Sequence, residues 1–162
     1  MFRTLIAVLF LGQMYLMMAI MAVIFFPYAL LTPDGASSAC RTYARYVMWT
    51  ARWMVGIRCE VRGPVPQGEV LVAAKHQSFL DIIMIFEALP RAKFIMKQQL
   101  LYTPFIGQYA YRLGSVPVNR GRRAEAIKKM LEDVKSGQSR PGQLVIYPQG
   151  TRVAPGVKAP YK

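Results

Sequence analysis

The chain has 162 residues, 54% of them hydrophobic, with a mean hydropathy of +0.23, a net charge of +13 and a pI of about 10.1. This is enough chain for one domain with a real core, and an apolar yet strongly basic sequence points to an anionic membrane surface or anionic ligands before a freely soluble metabolic enzyme. One histidine and two cysteines, Cys40 and Cys59, argue against a zinc cluster and a disulfide framework. Nucleic acid is the other usual partner of such charge, but no stacking motif or recognition helix is visible, so none is expected.

From Thr4 to Pro33 there is no charged residue. The run exceeds the ~20 apolar residues that a helix needs to cross the hydrocarbon core. It is longer than the apolar segment of a signal peptide and has no evident small-residue cleavage site, so a retained membrane helix is expected. Thr32-Pro33-Asp34-Gly35 marks a turn. Ser37 to Ile57 then reads as a helix. Arg41, Arg45 and Arg52 share one face, and Tyr46, Trp49 and Trp53 form the neighbouring stripe. Arginine beside tryptophan and tyrosine suits a helix at headgroup level. Residues 1–57 are therefore read as a membrane-anchoring helical pair. A hairpin dipping into one leaflet and a full span followed by an interfacial helix both satisfy the pattern.

Residues 58–162 are read as an α/β domain with a mostly parallel sheet flanked by helices, because apolar strands alternate with helical stretches. Val70-Leu71-Val72-Ala73-Ala74 reads as a buried strand and Phe79 to Leu89 as a helix. Between them lies Lys75-His76-Gln77-Ser78-Phe79-Leu80-Asp81. Ser78-x-x-Asp81 fits a capping box, a purely structural device. It also fits a site: a carboxylate fixed in the first helical turn is well placed to take a proton from one imidazole nitrogen, leaving the other as a general base. His76 is the sole imidazole available for that task.

Further strands are expected at Ala92 to Met96, Ser115 to Val118 and Gln143 to Tyr147. Gln98 to Leu113 contains Thr103-Pro104 and Gly107 and should be helical in two pieces. Ala124 to Lys135 has the spacing of an amphipathic helix, closed by Ser136-Gly137. Two loops that follow strands carry arginine: Asn119-Arg120-Gly121-Arg122-Arg123 and Gln149-Gly150-Thr151-Arg152. Loops leaving the C-terminal ends of parallel strands gather along one edge, so His76, Arg120 and Arg152 can converge there. Gly150 permits close backbone approach, and Thr151 with Arg152 offers a hydroxyl and a bidentate fork suited to phosphate. Each arginine taken singly is equally well explained as a solvated loop charge.

Three motifs, in this order, resemble the glycerolipid acyltransferase family, in particular its 1-acylglycerol-3-phosphate acyltransferases. His76-Gln77-Ser78-Phe79-Leu80-Asp81 matches the family's H-x4-D. Gly114-Ser115-Val116-Pro117-Val118-Asn119-Arg120 is similar to the block ending in a phosphate-contacting arginine. Tyr147-Pro148-Gln149-Gly150-Thr151-Arg152 looks like F-P-E-G-T-R. The resemblance implies that His76 deprotonates the free hydroxyl of a lysophospholipid and that Asp81 orients and charge-stabilises the imidazole. It implies that Arg120, Gly150, Thr151 and Arg152 hold the substrate phosphate. Ser78, from the capping box, and Gln149 are read as supporting residues of the site. The expected product is phosphatidic acid. The acyl donor would be acyl-CoA or an acylated carrier protein, acting as co-substrate with no metal or other cofactor. Expected partners are lysophosphatidic acid, the donor and membrane phospholipids, at a bacterial-type inner membrane with the α/β domain cytoplasmic.

Two departures from the family pattern stand out. Gln149 replaces a glutamate, keeping its size and hydrogen-bonding oxygen but not its charge. The stretch from Ala154 to Lys162 ends without a closing element, so a C-terminally truncated α/β domain is expected. The alternatives are a non-catalytic membrane lipid-binding protein, or an acyltransferase for glycerol 3-phosphate or another lysolipid.

Overall fold

The computed structural model describes residues 2–118 and 141–161, together with 124, 128, 131, 132 and 135. The chain divides into two compact units: Met1–Pro64 with Ile82–Ala88, and Val65–Asp81 with Leu89–Lys162.

In the first unit, helix α1 (Phe2–Ile24) is followed by the short α2 (Phe26–Leu31) and by α3 (Gly35–Thr50). Pro27 sits in the first turn of α2, where a missing N–H costs no helical hydrogen bond. Helices α1 and α3 approach closely because α3 turns small side chains inward: Ala36, Ala39 and Ala44 are buried, with Val47 fully enclosed. Phe10 and Met14 of α1 are buried. The apolar pairing is pinned by polar bonds. The Gln13 amide donates to the Thr50 hydroxyl at 3.2 Å, the Tyr46 hydroxyl donates to Gln13 Oε1, and the Tyr43 hydroxyl donates to the Met14 carbonyl at 3.2 Å. The rest of α1 faces outward as an apolar surface carrying Leu5, Val8, Leu9, Leu16 and Val23. By length and composition it is long and apolar enough to cross a membrane.

The expected helix from Ser37 to Ile57 starts two residues earlier and does not continue as one regular cylinder. It widens into a π-helical turn over Ala51–Val55 and stops at Gly56, whose φ of 73° is left-handed. Glycine adopts that conformation without a Cβ clash, and the Ile57 N–H reaches back to the Ala51 carbonyl at 3.1 Å. Trp49 and Trp53 remain exposed.

Among the described residues, the second unit is built on four parallel strands: β1 (Val70–Ala73), β2 (Ala92–Lys97), β3 (Val116–Val118) and β4 (Gln143–Ile146). Their spatial order is β1-β4-β2-β3. The last strand is therefore inserted between the first two, pairing Ala73 with Ile146 on one side and Phe94 with Val145 on the other. Val145, Leu144 and Phe94 form the buried centre. At the N-terminal edge, buried Gln143 stitches neighbouring segments together. Its Nε2 donates to the Gly68 carbonyl at 2.7 Å, and its Oε1 accepts the Arg91 N–H at 2.8 Å.

The sequence reads β1 as a buried strand, and this is corrected by the structure. Among the described residues β1 pairs only with β4, and Leu71 is 60% exposed. An apolar run does not distinguish a central strand from a lateral one, because strand order depends on distant segments.

Helix α4 (Leu80–Ala88) follows β1, and α5 (Ile106–Arg112) follows a 3₁₀ turn at Gln98–Tyr102, giving the expected two pieces. Gly107 joins those pieces: a Cβ there would fall onto the Leu101 carbonyl. Gly107→Ala is expected to cost ~1–3 kcal/mol, since the obstacle is backbone rather than a movable side chain. Denaturant unfolding of the detergent-solubilised variant measures it, and an unchanged midpoint would contradict the packing described. In the stretch expected to be an amphipathic helix, positions 124, 128, 131, 132 and 135 are helical. The remainder of that stretch and the loop carrying Arg120, Arg122 and Arg123 lie outside the described residues.

Candidate active site

The parallel pairing of β1 and β4 makes the loops after them neighbours. Two backbone bonds extend the pairing past the strands. The Ala74 N–H donates to the Ile146 carbonyl at 2.9 Å, and the Val153 N–H donates to the His76 carbonyl at 2.8 Å. The loop bearing the histidine and the loop bearing Gly150, Thr151 and Arg152 are thus tied at two points.

Within the first loop, Asp81 organises the local structure. Its Oδ2 accepts the backbone N–H groups of Gln77 at 2.7 Å and Ser78 at 2.8 Å. The Ser78 hydroxyl in turn accepts the Leu80 N–H at 3.1 Å. These are the reciprocal bonds of a capped helix start, with the Ser78 arm reaching two residues onward. Oδ1 of the same carboxylate faces His76 Nδ1 at 2.9 Å. An ionised carboxylate only accepts, so Nδ1 carries the proton and Nε2 is left as the acceptor of the ring. Capping and orientation of the imidazole are therefore performed by two oxygens of one side chain. Both side chains are largely buried, His76 at 15% exposed and Asp81 at 19%.

A third participant comes from the second loop. The Tyr147 ring stacks on the imidazole, with centroids 4.2 Å apart and planes 25° from parallel. Its hydroxyl donates to Asp81 Oδ1 at 3.3 Å. Burial pushes the Tyr147 phenol well above the usual range, and the adjacent Asp81 carboxylate adds to the shift by charge and as hydrogen-bond acceptor. Behind it stands Phe94 of β2, with ring centroids at 6.3 Å. The sequence motif includes Tyr147, but nothing in its spacing assigns it a task. The one available signal is a tyrosine where the family motif carries phenylalanine.

Gly150 has a φ of 65°, and its N–H donates to the Tyr147 carbonyl at 2.8 Å, making a tight turn that favours glycine. Thr151 and Arg152 follow it exposed to solvent. Gln149 is only 5% exposed, and among the described residues its Oε1 has no hydrogen-bond partner. Arg120 lies outside the described residues, so its place relative to His76 is not part of this geometry. What the described part provides is an oriented imidazole with one basic nitrogen, beside a glycine turn leading to a hydroxyl and a guanidinium. That combination can accept a proton from a hydroxyl and can bind an oxyanion.

Residues 56–162 match the Acyltransferase family, so the chain belongs to it. Among its curated relatives, the 1-acyl-sn-glycerol-3-phosphate acyltransferase of Pseudomonas aeruginosa is 29% identical over 121 residues, covering 72% of this chain and 46% of that protein. The mouse 1-acyl-sn-glycerol-3-phosphate acyltransferase alpha is 32% identical over 122 residues, covering 73% of this chain and 43% of that protein. The chain thus spans less than half the length of either of these relatives. The crystal structure of the 1-acyl-sn-glycerophosphate acyltransferase PlsC from Thermotoga maritima has the same fold. Its TM-score is 0.74 at 19% identity, covering 93% of this chain and 64% of that one.

Proposed function

We propose that the protein transfers a fatty acyl group from acyl-CoA or acyl carrier protein to the free hydroxyl of 1-acylglycerol 3-phosphate, giving phosphatidic acid. The observation that carries this reading is the His76–Asp81 pair, fixed at 2.9 Å and bonded through Val153 to the loop of Gly150, Thr151 and Arg152. A hydroxyl is a poor nucleophile at neutral pH, and a positioned base contributes ~10²–10⁴-fold. His76 Nε2 takes the hydroxyl proton as the oxygen attacks the thioester carbonyl. The carbon–sulfur bond then breaks, and the imidazolium returns the proton to the departing thiolate. Asp81 holds the ring in the required tautomer and stabilises the imidazolium. Thr151 and Arg152, with Arg120, bind the acceptor's phosphate and hold its hydroxyl near the base.

In the first unit, the outward apolar face of α1 and the exposed Trp49 and Trp53 suit contact with lipid, which keeps the acceptor's acyl chain in the bilayer. Basic residues are more numerous after the uncharged apolar run (Arg41, Arg45, Arg52) than before it (Arg3), which favours the cytoplasmic side of a bacterial inner membrane for the α/β domain.

Thiol release from acyl-CoA or acyl carrier protein, measured in lipid vesicles with lysophosphatidic acid, tests this. Release is expected only when the acceptor is present. Release supported by glycerol 3-phosphate and not by lysophosphatidic acid would reassign the acceptor. Binding to anionic vesicles with no thioester consumed from either donor would overturn catalysis in favour of lipid binding.

A further inference from the structure

The stack and the hydrogen bond made by Tyr147 go beyond what the acyl-transfer reading requires, though their consequence for turnover rests on it. We infer that Tyr147 is a positioning residue of the His76–Asp81 pair, holding the imidazole plane through its ring and sharing Asp81 Oδ1 through its hydroxyl, so that it sets how readily the base is protonated.

Asp81 Oδ1 receives two donors, His76 Nδ1 at 2.9 Å and the Tyr147 hydroxyl at 3.3 Å. Oδ2 receives two more from Gln77 and Ser78. A carboxylate with every acceptor site engaged is a weaker proton acceptor than one bonded to the imidazole alone. It therefore stabilises the imidazolium less, and more of the base stays neutral at a given pH. The ring contributes separately: at 4.2 Å it blocks one face of the imidazole and resists rotation out of the Asp81 bond. Phe94 backs the tyrosine from β2, and the Val153–His76 backbone bond fixes the spacing of the two loops. Among the described residues, the titratable groups in contact with the imidazole are Asp81, from the start of α4, and Tyr147, from the loop after β4. Lys75, next to His76 on the first loop, and Arg152, further along the second, are exposed.

The single histidine makes a direct test possible, because isotope-labelled histidine gives one imidazole signal set by nuclear magnetic resonance. The full chain in detergent micelles is titrated as wild type, Tyr147→Phe and Tyr147→Leu. Tyr147→Phe keeps the ring and loses the donor, so the imidazole midpoint should rise by about half a pH unit. Tyr147→Leu should raise it similarly and also remove the ring-current shift on the imidazole carbon-bound protons. In the thiol-release assay, the acid limb of the Tyr147→Phe rate profile should move up in step, with KM for lysophosphatidic acid unchanged. An unchanged or lowered midpoint in Tyr147→Phe overturns the inference. The titration needs no turnover, so wild type without thiol release overturns the acyl-transfer reading and leaves the positioning role to be decided by the midpoints.

Discussion

His76→Ala is expected to lower kcat/KM for acyl transfer by at least ~10²-fold and up to ~10⁴-fold, the range a positioned general base contributes. No second imidazole is present to substitute for it, because His76 is the chain's one histidine. The loss should appear almost entirely in kcat. The acceptor's phosphate is assigned to other residues, so ground-state binding is retained while transition-state proton transfer is removed. The rate profile should also lose its acid limb. The Val153 N–H bonds to the backbone carbonyl of residue 76, which alanine keeps, so the two loops should stay tied. Thiol release with lysophosphatidic acid as acceptor, together with binding of that acceptor to the variant, measures both effects. Wild-type turnover in His76→Ala would remove the base from the mechanism.

Asp81→Asn is expected to reduce turnover by a similar ~10²–10⁴-fold and to destabilise the protein as well. The reason is the bonding around the carboxylate. One oxygen accepts two backbone N–H groups, and the other accepts the imidazole and the tyrosine hydroxyl. A carboxamide keeps only one accepting oxygen and puts an NH₂, which can only donate, in place of the other. If its oxygen faces the imidazole, its NH₂ opposes the Gln77 and Ser78 N–H groups. If it flips, the NH₂ opposes Nδ1–H, and the ring must rotate or change tautomer. The stability cost should be ~0.5–2 kcal/mol, as for loss of a helix cap. Ser78→Ala separates the two roles: it removes the hydroxyl bonded to the Leu80 N–H and leaves the bonds to His76 intact. That variant should unfold more easily yet turn over nearly as fast as wild type. Equal rate losses in Ser78→Ala and Asp81→Asn, by thiol release beside thermal unfolding, would assign Asp81 to capping alone.

Much of this site is written locally. The capping pair Ser78 and Asp81, the unique histidine before it and the glycine turn at Gly150 lie within short stretches, where spacing and residue type are enough. The alternation of strands and helices is local as well, since it follows from hydrophobic period and turn residues. The widened turn at Ala51–Val55 is not visible in that way, because the periodicity of Ser37 to Ile57 suits one regular helix.

The sequence by itself determined an α/β unit, an apolar N-terminal helix and a histidine–carboxylate pair at the start of a helix. Only the tertiary structure decided that β4 enters between β1 and β2, leaving Leu71 exposed and bringing Tyr147 over His76. The Tyr147–Asp81 bond joins residues 66 positions apart. Strand order is chosen by pairing and burial summed over the whole sheet, so no local window contains it. A side chain whose task is to touch a residue on the adjacent strand's loop acquires that task only when the strands are placed.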